Sequence, residues 1–206
     1  MSTRLTKDIR EAITKAVMVH RFSASVSELY AEKGQFAHSV YEDVFDKKTR
    51  ELIDSLPPGF LPEVNCLGVR FGATGFSYEN VYFDGHLKSD LRNACSAPPK
   101  SETKRRVPRN KENGCAKSYE AGNRLSSKYE KLKAKEETLL EQVKTAKRSV
   151  EAALSAVTTV KRLIETWPEI APFASKYETE KPQLPALPTQ HLNSILELPV
   201  DEAVAA

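Results

Sequence analysis

The chain has 206 residues, of which 40% are hydrophobic and 29% charged, and its formal net charge is +3 at pH 7. This composition is ordinary for a soluble protein, and the charge is too small to indicate nucleic-acid binding by itself. No apolar run approaches the roughly 18 residues of a membrane span, and the first residues do not predict a signal peptide. Cysteines at 66, 95 and 115 lack C-x-x-C spacing, so we expect reduced thiols and a cytoplasmic protein.

The first 60 residues predict two or three helices that share one buried face. Thr6 is suited to cap a helix in which apolar residues recur at helical spacing from Ile9 onward. A second helical stretch follows, and Gly34 inside it predicts a break or a kink. A short helix from about Thr49 to Ser55 then ends at the Pro-Pro-Gly sequence of residues 57–59.

Beyond Pro62 the hydrophobic period changes from that of a helix to that of a strand. Leu67, Val69 and Phe71 alternate with other residues, and residues 76–83 are rich in aromatic and β-branched side chains. The Gly-Ala-Thr-Gly sequence at 72–75 predicts a hairpin loop between them. Because an isolated hairpin is marginally stable, we expect it to pack on the N-terminal helices or on a third strand.

Residues 96–114 are rich in proline, lysine and arginine and show no hydrophobic period. Seven basic and two acidic residues lie between positions 100 and 117. Such a run can neutralise phosphate groups, and the aromatic residues of the nearby hairpin can stack on bases. A solvated charge run beside core aromatic residues is the alternative. The candidate ligand-binding residues are Arg70, Tyr78, Tyr82, Lys104, Arg105, Arg106 and Arg109.

The most regular pattern is an apolar heptad from Leu125 to Trp167. Neither Gly nor Pro interrupts it, so it predicts one long helix over residues 115–168. The residues beside the heptad change from lysines to apolar residues after about position 147, so we expect the second half to dock and the first half to project. The projecting seam comprises Leu125, Tyr129, Leu132, Leu139, Val143, Ala146 and Val150.

A projecting apolar seam needs a partner, and the neighbouring lysines restrict the choice. In a parallel homodimer Lys128 would face Lys133 of the other chain, and like charges there are unfavourable. An antiparallel pairing would avoid this, and we expect a homo-oligomer without assigning the orientation of its helices. The alternatives are an exposed single helix and a helical hairpin within the chain, against the acidic residues Glu28, Glu32, Glu42 and Asp43.

Together the patterns predict an α+β fold that is mostly helical. N-terminal helices and a small antiparallel hairpin or sheet form a body over residues 1–95, and residues 96–114 form a basic linker. The long coiled-coil-like helix of residues 115–168 follows. Proline at every third position from 182 to 188 then predicts an extended strap and a short last helix within residues 169–206.

No residue pattern typical of an enzyme stands out. The chain has neither Gly-x-Ser-x-Gly nor a cysteine with protease-like flanks, and its four histidines lack metal-ligand spacing. We therefore expect neither a metal nor a cofactor. Asp84 and His86, after the second strand, are the best-placed polar pair for catalysis, although an Asp-Gly turn with a solvent-facing histidine is the simpler interpretation.

Three separated segments carry a resemblance to a known family. They are Thr-Arg-Leu-Thr-Lys-Asp-Ile-Arg at 3–10, Leu-Pro-Pro-Gly-Phe-Leu-Pro at 56–62 and Thr-Val-Lys-Arg-Leu-Ile-Glu-Thr-Trp-Pro at 159–168. In this order they resemble a small bacteriophage family catalogued as a nucleotide-modification-associated domain, the fifth of its series. The resemblance implies a phage origin and a link to nucleotides. It brings no catalytic residues, and the basic segment of residues 96–114 matches no part of it.

These observations favour a binding protein over an enzyme. The first hypothesis is a non-catalytic, oligomeric phage protein in the host cytoplasm that captures a nucleotide-type ligand or host nucleic-acid machinery, as a counter-defence protein that sequesters a nucleotide signal would. The second is an enzyme or accessory factor in phage DNA or nucleotide modification. The third is a coiled-coil inhibitor of a host defence protein. None of the three involves a membrane.

Overall fold

The computed structural model describes residues 3–72, 77–96, 104–108 and 117–178. The helices are α1 (Lys7–Val44), α2 (Lys47–Ser55), α3 (Ser89–Asn93), α4 (Arg124–Ser155), α5 (Val160–Thr166) and α6 (Ala171–Ala174), with short 3-10 helices at Pro168–Ile170 and Ser175–Tyr177. The strands are β1 (Glu63–Val64), β2 (Cys66–Phe71), β3 (Ser77–Tyr82), β4 (Arg105–Arg106) and β5 (Lys117–Tyr119). The predicted fold class, α+β and mostly helical, is confirmed. Within the described ranges, every helix is too short or too polar to span a bilayer.

The chain divides into two compact units. One contains residues 10–156, and the other contains residues 1–9 together with residues 157–206. The predicted segment boundaries after residues 95, 114 and 168 stay predictions. The predicted proline-rich strap and last helix lie in residues 179–206, outside the described residues.

In the smaller unit, the N-terminal segment pairs with the residues that precede α5. The Leu5 amide donates to the Thr158 carbonyl at 2.9 Å, and the Val160 amide donates to the Thr3 carbonyl at 2.9 Å. Leu5 and Val160 are buried. Backbone hydrogen bonds and apolar burial thus hold together two segments that are far apart in sequence.

Two predicted helix ends are confirmed. The Ile9 amide donates to the Thr6 hydroxyl at 3.4 Å, so Thr6 caps the start of α1. The short helix α2 ends at Ser55, just before the prolines at 57 and 58, as expected. Its first turn is capped by Asp46, whose carboxylate accepts from the Thr49 amide at 2.7 Å.

Helix α1 runs without interruption through Gly34, so a break there is wrong, and a kink stays a prediction. A Cβ at Gly34 would lie 3.2 Å from the Phe83 carbonyl oxygen. Gly85, at φ +68°, faces it, and a Cβ there would lie 2.2 Å from the Tyr30 carbonyl oxygen. The two glycines therefore allow the turn after β3 to lie directly on the backbone of α1.

The predicted single helix over residues 115–168 is also wrong, because α4 begins at Arg124 and ends at Ser155 and α5 is a separate helix. The break contains Val157, Thr158 and Thr159, and three β-branched residues in succession lower helix propensity. Thr159 is the N-cap of α5. Val157 and Val160, the first residue of α5, are both heptad positions and both are buried, although the helix is interrupted before α5. The heptad therefore indicated which residues are buried here, and it did not indicate that the helix is continuous.

Helix α4 packs antiparallel to α1. The Phe36 and Tyr129 rings lie 6.1 Å apart, and Lys33 pairs with Glu136 at 3.1 Å, so the contact moves back along α1 as it moves forward along α4. Beside this pair, Lys135 pairs with Glu32 at 2.8 Å. This is the arrangement of the intramolecular alternative, in which lysines beside the seam meet acidic residues of the first third of the chain.

The apolar seam of α4 is buried within the chain. Four of its residues are buried, and the other three are partly buried and pack against the core; the buried ones are Leu132, Leu139, Val143 and Val150, and the others are Leu125, Tyr129 and Ala146. The expected projection of the first half of this helix is therefore wrong, because α1 and the sheet cover the seam. Self-association through another surface stays a prediction.

Strand β2 is the centre of a three-stranded sheet with the order β3-β2-β5. It is antiparallel to β3, as the hairpin pattern predicted, and parallel to β5. Leu67, Val69 and Phe71 are buried, and the Phe71 ring stacks on Tyr129 at 4.3 Å. The sheet thus packs one face on the helices. The two-residue strands β1 and β4 form a separate antiparallel pair.

Candidate functional site

The face of the sheet that points away from the core carries an arginine and two tyrosines. Arg70 of β2 lies directly opposite Tyr78 of β3, and Cys66 lies opposite Tyr82. Directly opposed residues project to the same side of a sheet, and the alternate residues of β2 are the buried ones. Arg70, Tyr78 and Tyr82 therefore share one outer face, as the alternating pattern of the sequence allows.

The row between the two tyrosines is small and polar. Asn80 lies opposite Gly68 there, so this row presents one carboxamide and no bulky side chain. Tyr78 is 48% exposed, which leaves much of its ring in contact with solvent. The Cα atoms of the two tyrosines lie four residue steps apart along the strand, or about 13 Å. The outer face thus offers two aromatic side chains with a hydrogen-bonding group between them.

A tight turn after β3 places a histidine ring beside Tyr82. The Tyr82 and His86 ring centroids lie 4.6 Å apart, with 30° between their planes. The Asp84 carboxylate is buried and accepts from the His86 amide at 3.3 Å, the geometry of an aspartate-stabilised turn. Asp84 thus shapes the turn and His86 extends the aromatic surface. Catalysis by this pair stays a prediction.

A groove of about 210 Å³ lies beside β3, between that strand, α1 and α4. Tyr82 and His86 line it, so it adjoins the outer face of the sheet. The Lys33 ammonium donates to the His86 carbonyl at 2.7 Å and pairs with Glu136 at 3.1 Å, which ties the turn after β3 to α4. The charged residues of the lining are Lys33, Lys88, Lys133, Glu79 and Glu136.

Tyr129 forms part of the inner wall of this groove. Burial, followed by the nearby Glu79 carboxylate, raises the pKa of Tyr129 far above its usual range. The phenol therefore keeps its proton at any physiological pH, and it is suited to packing and hydrogen bonding and not to proton abstraction.

Two of the predicted basic residues of the linker, Arg105 and Arg106, form β4 of the two-stranded sheet. The Arg105 guanidinium lies 5.8 Å from the ring centre of Tyr41, a cation–π contact. The Arg106 guanidinium donates to the carbonyls of Leu56 and Pro57, just beyond α2. Lys104 is exposed, and Arg109 lies outside the described residues. Arg105 and Arg106 thus have structural partners that the charge pattern did not indicate.

Sequence reasoning did not identify several residues of this site. Asn80 follows from the alternation of residues 78, 80 and 82 on one strand, so the sequence contained a signal for it. Lys33 and Lys133 reach the groove only because α1 and α4 pack side by side, and no local pattern indicates that. Within the described ranges, no three His, Cys, Asp or Glu residues are grouped as a metal site would require.

Comparison with known families gives one match. A family model described as nucleotide modification associated domain 5 matches residues 4–199. The match includes residues 56–62 and 159–168 and all but the first residue of the 3–10 segment, which are the segments that carry the resemblance. Neither the curated proteins nor the solved structures contain a match.

Proposed function

Because the chain belongs to the nucleotide modification associated domain 5 family, we propose that it binds a nucleotide-type ligand on the outer face of its sheet. The observation that carries this proposal is the position of Arg70, Tyr78 and Tyr82 on one face of adjacent strands. Exposed aromatic rings stack on bases of any identity, and a guanidinium group pairs with phosphate through two hydrogen bonds. The face thus supplies both kinds of contact that a nucleotide requires.

The spacing of the tyrosines bears on the size of the ligand. Two tyrosines whose Cα atoms lie about 13 Å apart along one strand are too far from each other to stack on the same base. A mononucleotide would therefore use one tyrosine, whereas an oligonucleotide would use both, with Asn80 between them. Arg70, directly opposite Tyr78, would pair with the phosphate next to the base on that tyrosine. The lysines of the adjoining groove would add weaker attraction, since two carboxylates share its lining.

We further propose that binding is not coupled to catalysis. Asp84 is engaged in the turn after β3, and Tyr129 keeps its proton. A protein that holds a nucleotide-type ligand without converting it sequesters that ligand. Sequestration in the host cytoplasm is the role of a phage counter-defence protein, and the phage origin implied by the family resemblance supports this form of the proposal. We also propose that the protein forms a homo-oligomer, through a surface other than the α4 seam.

Fluorescence anisotropy with a labelled octathymidylate, and competition by dTMP and AMP, would test the proposal. Tyr78→Ala should weaken oligonucleotide binding about 5- to 150-fold, the effect of losing one stacked base. Phe60→Ala is the matched control, since Phe60 is 70% exposed and lies outside the sheet. Arg70→Met should also reduce the slope of log K against log salt by about one.

Three results would count against the proposal. Binding of neither the oligonucleotide nor the mononucleotides would overturn it. An equal loss of affinity in the Phe60→Ala control would show that Tyr78 has no special role. Conversion of a bound nucleotide to a product, seen by chromatography, would overturn the non-catalytic part alone.

A further inference from the structure

A second, larger cavity lies between α1, α3 and α4. Its volume is about 380 Å³, and residues of these helices and Ala94, just after α3, line it. Small-molecule sites in proteins usually have roughly 300–1,000 Å³. The size is therefore sufficient for one small metabolite, and the lining does not overlap with the outer face of the sheet.

The inner part of the cavity is apolar, with one unsatisfied hydroxyl group. Met18, Ala94 and Val143 line it and are buried. Thr14 lines it too and is 5% exposed, and its Oγ1 atom has no hydrogen-bond partner among the described residues. Because that atom is enclosed by protein atoms, the Thr14 hydroxyl group belongs to the packed layer beneath the cavity and does not face a ligand.

The charged groups at the cavity balance one another. Three ammonium groups and three carboxylates line it; they are Lys15, Lys144, Lys147, Glu11, Asp90 and Glu151. A balanced set of charges does not favour a ligand with a net charge. It favours a ligand that itself carries both signs, because each of its charges then meets an opposite one.

Two of these charges, Lys144 and Asp90, lie on different walls of the cavity. Lys144, on α4, pairs with Glu141 at 3.7 Å, and Glu141 does not line the cavity. An exposed pair of residues three apart on a helix is weak, so the Lys144 ammonium can turn to a ligand carboxylate at little cost. Asp90 belongs to α3, a different wall. A second ion pair, Lys147 with Glu151 at 3.8 Å, lies within α4.

We propose that this cavity binds a small zwitterion with an apolar group, the chemistry of an apolar α-amino acid. The carboxylate of the ligand pairs with Lys144 and its ammonium group with Asp90. The apolar side chain of the ligand packs on Met18 and Val143. The proposal is independent of nucleotide binding, because none of these residues belongs to the sheet.

Isothermal titration with three matched compounds would test this. L-phenylalanine carries both charges, 3-phenylpropionate lacks the ammonium group and phenethylamine lacks the carboxylate. L-phenylalanine should bind at least about tenfold more tightly than either analogue, since one charge-assisted hydrogen bond contributes about that factor. Lys144→Gln should weaken L-phenylalanine binding to a similar extent and leave phenethylamine binding unchanged, and Asp90→Asn should leave 3-phenylpropionate binding unchanged. Lys131→Gln, exposed on the same helix and not in the lining, is the control.

Several outcomes would overturn the proposal. They are no binding of L-phenylalanine, equal binding of 3-phenylpropionate, or an undiminished affinity in Lys144→Gln. Tighter binding of dTMP that depends on Lys144 would show an anion site and reject the amino-acid class. If Asp90→Asn lowers the melting temperature through α3, the Lys144→Gln variant on α4 still decides the question. Tyr78→Ala should leave L-phenylalanine binding unchanged, which separates this proposal from that of the sheet face.

Discussion

Replacement of Gly85 by alanine should be among the most destabilising single changes in the turn after β3. Gly85 has φ +68°, and a Cβ there would lie 2.2 Å from the carbonyl oxygen of Tyr30. The left-handed conformation costs a residue with a side chain about 1–2 kcal/mol. Because Tyr30 contributes backbone here, no side-chain rotation can relieve the overlap, and the turn must move away from α1.

The expected loss of stability can be estimated from these contacts. Forcing extra atoms into a packed site costs about 1–3 kcal/mol. Alanine also restricts the unfolded chain, which returns about 0.4–1 kcal/mol. The net decrease in the free energy of unfolding should be about 2–4 kcal/mol, a large fraction of the 5–15 kcal/mol of a typical domain.

Urea unfolding followed by circular dichroism at 222 nm would measure this decrease. Gly59→Ala is the matched control, because Gly59 has φ +86° and a Cβ there would meet nothing within 4 Å. The control should lose only about 1 kcal/mol or less, after the strain and the effect on the unfolded chain are combined. Equal losses for the two variants would refute the close packing of the turn on α1.

Three further changes test the ion pairs and the loop beyond α2. The hydrogen bond from Lys117 lowers the pKa of Asp43, so this bond stabilises the fold above the unfolded pKa of about 4 and the stabilisation is lost as pH falls through the lower folded pKa. Asp43→Asn should therefore lower the free energy of unfolding by about 0.5–1 kcal/mol at pH 7. A difference between the variant and the unchanged protein that persists at pH 2.5 would contradict this. A double-mutant cycle on Glu32 and Lys135, 2.8 Å apart, should give a coupling of about 0.5 kcal/mol that falls in high salt, and zero coupling at low salt would argue against the pair. Arg106→Met should lower the free energy of unfolding by about 1–3 kcal/mol, because it removes the guanidinium donor from the carbonyls of Leu56 and Pro57. An unchanged urea midpoint would show that Arg106 does not stabilise the fold.

The sequence predicted which residues of a strand or helix are buried better than it predicted where the long helix begins and ends. The alternation of Leu67, Val69 and Phe71 gave the inward face of β2 correctly, because burial imposes that period directly. The heptad gave the buried face of α4 correctly and its end wrongly, because buried residues continue on both sides of the break at 157–159. A break in α1 at Gly34 was predicted wrongly because its structural role is also not visible in the local sequence. Its role is contact with the turn after β3, which only the folded chain brings close.

In the candidate site, too, local patterns could be predicted from the sequence and contacts between distant residues could not. Arg70, Tyr78 and Tyr82 could be predicted to share a face, since strand register follows from a short hairpin. The contacts of Arg105 and Arg106 could not be predicted, because their partners are distant in sequence. Arg105 lies over the Tyr41 ring, and Arg106 donates to the carbonyls of Leu56 and Pro57. The cavity beside Thr14 was also missed, since three helices form it and none of them carries a local signal of it.

Photo-crosslinking tests the central claim most directly. An oligothymidylate with 5-bromouracil in place of thymine would be irradiated with the protein, and the modified residues identified by mass spectrometry. Binding on the outer face of the sheet predicts crosslinks to Tyr78 and Tyr82, two aromatic residues of that face. Crosslinks confined to the basic residues near β4, or efficient crosslinking that Tyr78→Ala leaves unchanged, would contradict that account.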